Sequence, residues 1–402
     1  MQTSTKWRAA AAVLGLTLIG AACGSSGGSS SDTTAASATT AGGGSAAPGT
    51  ASGAAVKVPT GAKCSGISLG FFGAYTGENS GLGIPIYNGA KLAIDQFNQA
   101  NPDCKIGYEK FDSQGSPDQA PQLARSVVGN KAVVALVGPA FSGESKNADP
   151  IFNEAKLPII TPSATNNKLQ LNGWTIFHRM LANDTVQGAG VAKYLTGELG
   201  KSKIFVIDDA SEYGKGLADI VKSNLGSKVV GSDTIDTKAT DYSATVTKVK
   251  AANPDAVFYG GYYAQAGPLA KQLKDGGVTA LFMSGDGTKD AGFVKLGGDA
   301  TEGAIITCTC APSPEAFASA YKAAFNTDPS TYAPEAYDSA LAELNAIAAG
   351  KTSRADINDY LKTIDIPGVT KQIKFDDKGE VAAATVFVYK VDGGKITDVG
   401  KV

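Results

Sequence analysis

The chain has 402 residues, too many for one small core and enough for two compact lobes behind an N-terminal segment of different character. Lys and Arg number 36 against 38 Asp and Glu, a net charge of −2, so the overall balance gives no electrostatic case for a nucleic-acid partner. The single histidine leaves zinc short of ligands.

Lys6 and Arg8 give a basic start, and residues 9–22 form an apolar run. It is shorter than the roughly 20 residues that span a bilayer. Basic residues, an apolar centre and small residues at its end predict a secretory signal peptide over residues 1–22. Cys23 follows at once. This junction resembles the lipobox of bacterial lipoproteins, in which the cysteine is diacylated, although Gly20 stands where leucine is commonest. Residues 23–62 are rich in Gly, Ser, Ala and Thr, with almost no large apolar side chain. Such a segment cannot offset its ordering entropy and reads as a flexible tether. The expectation is a folded body held to the outer face of a membrane by a lipid anchor alone. Export also makes the four remaining cysteines candidates for disulfides rather than for metal ligation.

From residue 67 onward, strands and helices alternate. ISLGFFGAY (67–75) reads as a buried strand. In the helix at 86–99, Ile86, Ala90, Ala93, Ile94 and Phe97 share one face. KIGYEKFD, AVVALVG, LPIIT and TIFHRM follow as strands, with helices after Pro117 and from Gly143. A second series begins with the helix VQGAGVAKYLTGEL. It continues through the strands KIFVIDD, KVVGSDTID, DAVFYGGYY, ALFMSGD and GAIITCT, with helices from Glu212, at ATVTKVKAA and at PLAKQLKDGG. After Pro312 the pattern turns helical at 315–325, 334–349 and 354–363, and two strands close the chain near 369–375 and 382–389. The fold class is therefore α/β, two doubly wound parallel-sheet lobes. A chain that returns to its first lobe makes a hinge, and ligands of such folds sit beyond the carboxyl ends of the strands, here facing the cleft.

Enzyme motifs fail on inspection. Gly200-Lys201-Ser202 looks like the end of a P-loop, but Leu195 occupies the first glycine position and the motif precedes a strand. Gly81-Leu82-Gly83 lacks the third glycine of a dinucleotide fingerprint, and there is no G-x-S-x-G elbow. His178 lies within a strand beside Arg179 and reads as structural. Paired carboxylates in the cleft are the one enzyme reading left open.

The motifs GAYTG, YNGAKLAID, FDSQGSPDQA, VGPAFSGES, PIITPSAT, SEYGKGLAD, DYSATVTKVK, FYGGYY, FMSGDG and FDDKGE occur in this order. By them the chain resembles the type I periplasmic binding proteins, and within these the branched-chain amino-acid (Leu/Ile/Val) receptors of ABC importers, over nearly all of residues 66–380. The resemblance implies two lobes joined by three crossovers, with residues 63–179 and 311–375 in lobe one and 180–310 and 376–402 in lobe two. It implies a monomeric receptor without cofactor or metal, delivering its ligand to membrane permease subunits. A receptor for an amide, urea or aromatic acid, and a sensor without a transporter, are the alternatives.

In GPAFSGES the strand ends at Gly138 and a helix starts near Gly143, so Ser142 is placed as its N-cap. Helix starts favour anions, and the resemblance assigns Ser142 to the ligand's carboxylate. Thr165 of TPSAT matches a residue that touches both carboxylate and ammonium, and the backbone carbonyl of Ser163 receives the ammonium. Asp286 of FMSGDG ends a lobe-two strand where the family carries an acid, often glutamate. The shorter side chain implies further closure, an intervening water or a different ligand. By the same matching, Leu82, Ala140 and Phe141 from lobe one, Tyr332 from its returning segment, and Tyr213 and Tyr262 from lobe two line the side-chain pocket. Leu82 stands where relatives often have an aromatic, and Phe141 where some have a small residue. Cys64 and Cys104 precede strands that are neighbours in a doubly wound sheet, and are expected to pair. Cys308 and Cys310 are two apart, with Cα atoms roughly 6.6 Å apart if extended, near the bridging limit. They pair if the chain bends before Pro312.

Overall fold

The computed structural model describes residues 57–382 and 385–402. The segment expected to be a signal peptide, Cys23 and the expected tether up to residue 56 lie outside the described residues. Ala62, at the end of the expected tether, is already buried between exposed neighbours, and its N–H donates to Asn101 Oδ1 at 2.9 Å.

The apolar runs form the centres of two sheets. The first contains β1 (Ser68–Gly73), β2 (Gly107–Asp112), β3 (Val133–Val137), β4 (Ile159–Thr161) and β5 (Phe177–Arg179), in the order β2-β1-β3-β4-β5 and all parallel. The crossovers carry α1 (Ser80–Ala100), α2 (Ala120–Gly129) and α3 (Ser142–Glu154). Strands β1, β3, β4 and β5 are buried along their whole length, whereas edge strand β2 is only half-buried. The strand order reverses between β1 and β3, which opens a crevice at their carboxyl ends.

The chain then crosses to a second sheet through α4 (Asp184–Lys193). It runs β6 (Ile204–Asp208), α5 (Glu212–Leu225), β7 (Val229–Thr234), α6 (Ser243–Ala252), β8 (Ala256–Gly260), α7 (Tyr263–Asp275), β9 (Leu281–Ser284), α8 (Ala291–Gly297) and β10 (Ile305–Cys308). It returns to the first sheet as α9 (Glu315–Phe325), α10 (Ala333–Ala348) and α11 (Arg354–Leu361), followed by the short hairpin β11 (Ile366–Pro367) and β12 (Gln372–Ile373). Helix α10 is buried on nearly every side and lies against α1. At Gly89 of α1 a Cβ would stand 2.2 Å from the Ala333 carbonyl oxygen, so only glycine permits this approach.

The last crossing leads to β13 (Phe387–Asp392) and β14 (Lys395–Lys401), giving the order β14-β13-β10-β9-β8-β6-β7. This differs from a purely parallel sheet. The tight Gly393-Gly394 turn, with positive φ at both residues, folds β13 and β14 into a hairpin that adds antiparallel to β10. The final crossing is also later than residue 376. Gly379 and Val381 exchange backbone hydrogen bonds with Arg179, and Glu380 pairs with its guanidinium, so residues up to 381 stay with the first sheet. A buried cation at the end of β5 holds them there.

Cys64 and Cys104 form a disulfide, Cα atoms 4.5 Å apart. Cys308 and Cys310 are also joined, the chain bending after β10 to bring their Cα atoms to 5.0 Å.

Candidate functional site

The crevice of the first sheet is built by the turns that follow β3 and β4. After β3 the chain extends through Phe141, the N-cap of α3, so Ser142 is the first helical residue and not the cap. Glu144 instead accepts the Phe141 N–H at 3.2 Å with one carboxylate oxygen and the Ser113 hydroxyl with the other. That leaves the Ser142 hydroxyl free to reach across and accept the Asn166 N–H at 3.2 Å. Ser163 donates to the Ala140 carbonyl at 2.7 Å, so the two turns are stitched together twice.

Arg179 fixes this second turn from below. Its side chain is fully buried, donates to the carbonyls of Ala164 and Asn166 at 2.9 Å each, and pairs with Glu380 at 2.5 Å. Thr165, between those carbonyls, is fully buried with no hydrogen-bond partner for its hydroxyl. Nearby Asp184, at the start of α4, has no partner for either carboxylate oxygen. Burial, reinforced by the Asp286 charge, pushes its carboxyl up to about 8.

The second sheet contributes its own strand ends. β9 finishes at Ser284, and Asp286 opens a short 3-10 turn. Asp286 Oδ1 accepts the Tyr213 hydroxyl at 2.8 Å, and Oδ2 accepts that of Tyr332. Burial raises the Asp286 carboxyl, while the two phenols oppose that shift. The Gly287 N–H donates back to Tyr213 at 3.0 Å. A Cβ at Gly287 would lie 2.8 Å from the Gly261 carbonyl, so the tight turn that presents Asp286 requires glycine there. Tyr332 has φ 68°, a strained backbone for a bulky residue, and this conformation delivers its hydroxyl to an acid on the other lobe. Tyr262 caps α7 and sits between two aromatic neighbours, edge-on to Phe141 at 5.3 Å and tilted against Tyr213 at 5.1 Å.

These residues converge. Leu82, Ala140, Phe141, Ser142, Ser163, Tyr213, Tyr262, Asp286 and Tyr332 line one cavity, and Thr165 is the single expected site residue that does not. The cavity also includes Ile86. It was legible as the residue one helical turn beyond Leu82, but α1 begins at Ser80, ahead of the glycines and Pro85 that obscured its first turn. The space is narrow, a cavity of about 10 Å³, no larger than a single water needs.

The lobes are closed on it. Tyr263 donates to the Glu78 carbonyl at 2.5 Å and accepts the Gly81 N–H at 3.1 Å, and Gln265 reaches the Glu78 carboxylate at 3.2 Å. On the opposite rim Lys146 pairs with Glu212 at 2.7 Å, and Asn166 donates to the Glu212 carbonyl at 2.7 Å. None of these partnerships was visible in the sequence, because each joins residues more than 40 positions apart. Their chemistry is that of a clamp. Polar groups from both lobes line a cavity whose remaining wall is aliphatic and aromatic.

Among the described residues no group of three or more His, Cys, Asp or Glu side chains could hold a metal, and no helix is long and apolar enough to cross a membrane.

A family model described as "Periplasmic binding protein" matches residues 66–395. The chain is 30% identical over 346 residues to the Leu/Ile/Val-binding protein BraC3 of Rhizobium johnstonii, covering 82% of this chain and 93% of that one. It is 29% identical to the leucine-specific-binding protein of Salmonella typhimurium, covering 84% and 95%. Its structure superposes on the branched-chain amino acid transporter substrate binding protein LivJ of Streptococcus pneumoniae, solved in complex with isoleucine. The TM-score is 0.77 at 29% identity, covering 84% of this chain and 99% of that one.

Proposed function

Since the chain belongs to the periplasmic binding protein family, and is thus a solute-binding protein and not an enzyme, we propose that it captures a branched-chain or related apolar amino acid between its lobes and delivers it to an ABC importer. The observation that carries this reading is the single cavity in which a lobe-two carboxylate, the hydroxyls of a lobe-one helix start and turn, and an apolar wall come together. Ser142 holds the ligand's carboxylate, and Thr165, whose buried hydroxyl has no partner in the closed form, joins it once the lobes part. The ligand's ammonium is shared by the Ser163 carbonyl, Thr165 and Asp286. The side chain lies among Leu82, Ile86, Ala140, Phe141, Tyr213, Tyr262 and Tyr332.

An amino acid is far larger than the space that now admits a water, so capture begins with separation of the lobes. In the open state lobe one, residues 63–179 with 311–381, presents the carboxylate site. Binding then favours closure, because Asp286, Tyr213 and Tyr262 of lobe two reach the ligand only in the closed state. The ammonium takes a share of Asp286 that the phenols of Tyr213 and Tyr332 otherwise hold.

The monomeric receptor is anchored through lipidated Cys23 and swings on the tether between solute and permease. Fractionation of Cys23→Ala cells tests the anchor: the variant should leave the membrane fraction, and a variant that stays there refutes it. A thermal-shift screen of the purified protein against the natural amino acids tests the ligand class. A ligand at 100 times its Kd adds about 2.7 kcal/mol to the folded state. A screen in which no aliphatic or aromatic amino acid raises the melting temperature sinks the reading.

A further inference from the structure

Behind the clamp lies a second and much larger cavity of about 630 Å³, against about 10 Å³ for the cleft by the same measure. Its walls come from both lobes: α8 and β14 on one side, residues 311–313 and 329–331 on the other. Val294, Pro312 and Ile396 are among the apolar residues of its lining. Three lysines, Lys289, Lys295 and Lys395, stand around it, and none forms an ion pair among the described residues.

Lys289 is the innermost. Its ammonium lies 4.3 Å over the Tyr389 ring and 3.4 Å from the Thr331 hydroxyl. Glu335, Asp398, Asp286 and Asp290 are the acids near enough to act on it. All four have other work: Glu335 accepts the Ala311 N–H at 2.8 Å, Asp398 accepts the Gly400 N–H at 2.8 Å, Asp290 caps α8 through the Gly292 N–H at 2.7 Å, and Asp286 holds the two phenols of Tyr213 and Tyr332. Desolvation outweighs their attraction and lowers the ammonium to about 8. A cation in this position gains from an anion placed beside it.

We propose that this cavity is a second small-molecule site, one that takes an organic anion, an apolar body carrying one carboxylate or sulfonate, with the acidic group on Lys289 and the lysines at the rim. The volume lies within the range of small-molecule pockets, and a cationic head beside an apolar lining selects that class. The site shares a wall with the clamp. Lys289 follows the turn that holds Asp286, its carbonyl accepts the Thr331 hydroxyl, and Thr331 precedes Tyr332. An occupant touches both lobes beside residues 311–313, where the chain returns to the first sheet.

The probe is 1-anilinonaphthalene-8-sulfonate, a fluorescent organic anion, titrated against the full folded protein. The expected result is saturable binding at one site per chain, weakened at least tenfold in Lys295→Glu/Lys395→Glu. Both positions are exposed, and unchanged circular dichroism and melting temperature show that the variant is folded. The control Lys203→Glu/Lys228→Glu carries the same charge change at exposed positions remote from the cavity and should bind as the parent does. Absence of saturable binding, equal affinity in the parent and the cavity variant, or an equal loss in the control overturns the proposal. None of these outcomes depends on what the cleft binds.

Discussion

Replacing Asp286 with asparagine removes one charge and almost nothing else. The side chain keeps its volume and one acceptor oxygen, and the Tyr213 and Tyr332 hydroxyls can turn to meet the new amide. What goes is the ionic partner of an ammonium. A hydrogen bond to a charged group contributes about 1.5–3 kcal/mol, and 1.4 kcal/mol is a factor of ten. Leucine should therefore bind roughly 10- to 140-fold more weakly to the variant. Its deaminated analogue, 4-methylpentanoate, has no ammonium and should lose much less. Thr165→Ala provides the contrast, because it should weaken both ligands through the shared carboxylate. Unliganded Asp286→Asn should melt at or above the parent temperature, since burial raises the Asp286 carboxyl and penalises its charge. Titration calorimetry with the two ligands on the two variants decides. Equal losses for leucine and 4-methylpentanoate in Asp286→Asn would mean that the acid only organises its turn and the two phenols, and the assignment of an ammonium site would fail.

Asp184 keeps its proton to about pH 8 in the fold but releases it near 3.8 when unfolded, so unfolding sheds a proton between those values. Stability from this group is full below about pH 4 and is lost as pH rises toward 8; Asp184→Asn should flatten that fall in melting temperature, and an unchanged slope refutes it. Arg179→Met should cost about 3–5 kcal/mol in urea unfolding, because it strands Glu380 and two loop carbonyls; a loss below about 1 kcal/mol would show that the guanidinium is not the brace. Opening the Cys64–Cys104 bond, which joins residues 40 positions apart, with a double alanine variant should cost roughly 4 kcal/mol through loop entropy. Peptide mapping without reductant must first find that pair, and Cys64 joined to Cys308 or Cys310 would refute both bridges.

Most of the strands could be read from the sequence because they are buried on both faces and appear as continuous apolar runs such as VVALV and IFVID. β14 could not, since six of the seven residues of KITDVGK are exposed and only pairing with β13 defines the strand. Helix α8 was missed because it is seven residues long and carries glycines at its second and last positions. The cavity-lining residues were found through motif likeness at strand ends, where a local signal exists. The partnerships that hold them were not found. Tyr332 reaches Asp286 through a left-handed backbone and Arg179 grips Glu380 across 201 positions, and neither leaves a trace in local periodicity.

The interlaced path of the chain bears on its birth as well as its motion. A ribosome delivers residues in order, yet the helix that covers α1, spanning Ala333–Ala348, emerges more than 230 positions after that helix ends. Until then the apolar flank of α1 and the sheet beneath it stay uncovered, and the second sheet likewise waits for its last two strands. Neither half can be finished and set aside while the other is made. The two lobes must mature together, near the end of synthesis, and the exposed interval before that is when the newborn chain is most open to aggregation or to capture by a chaperone.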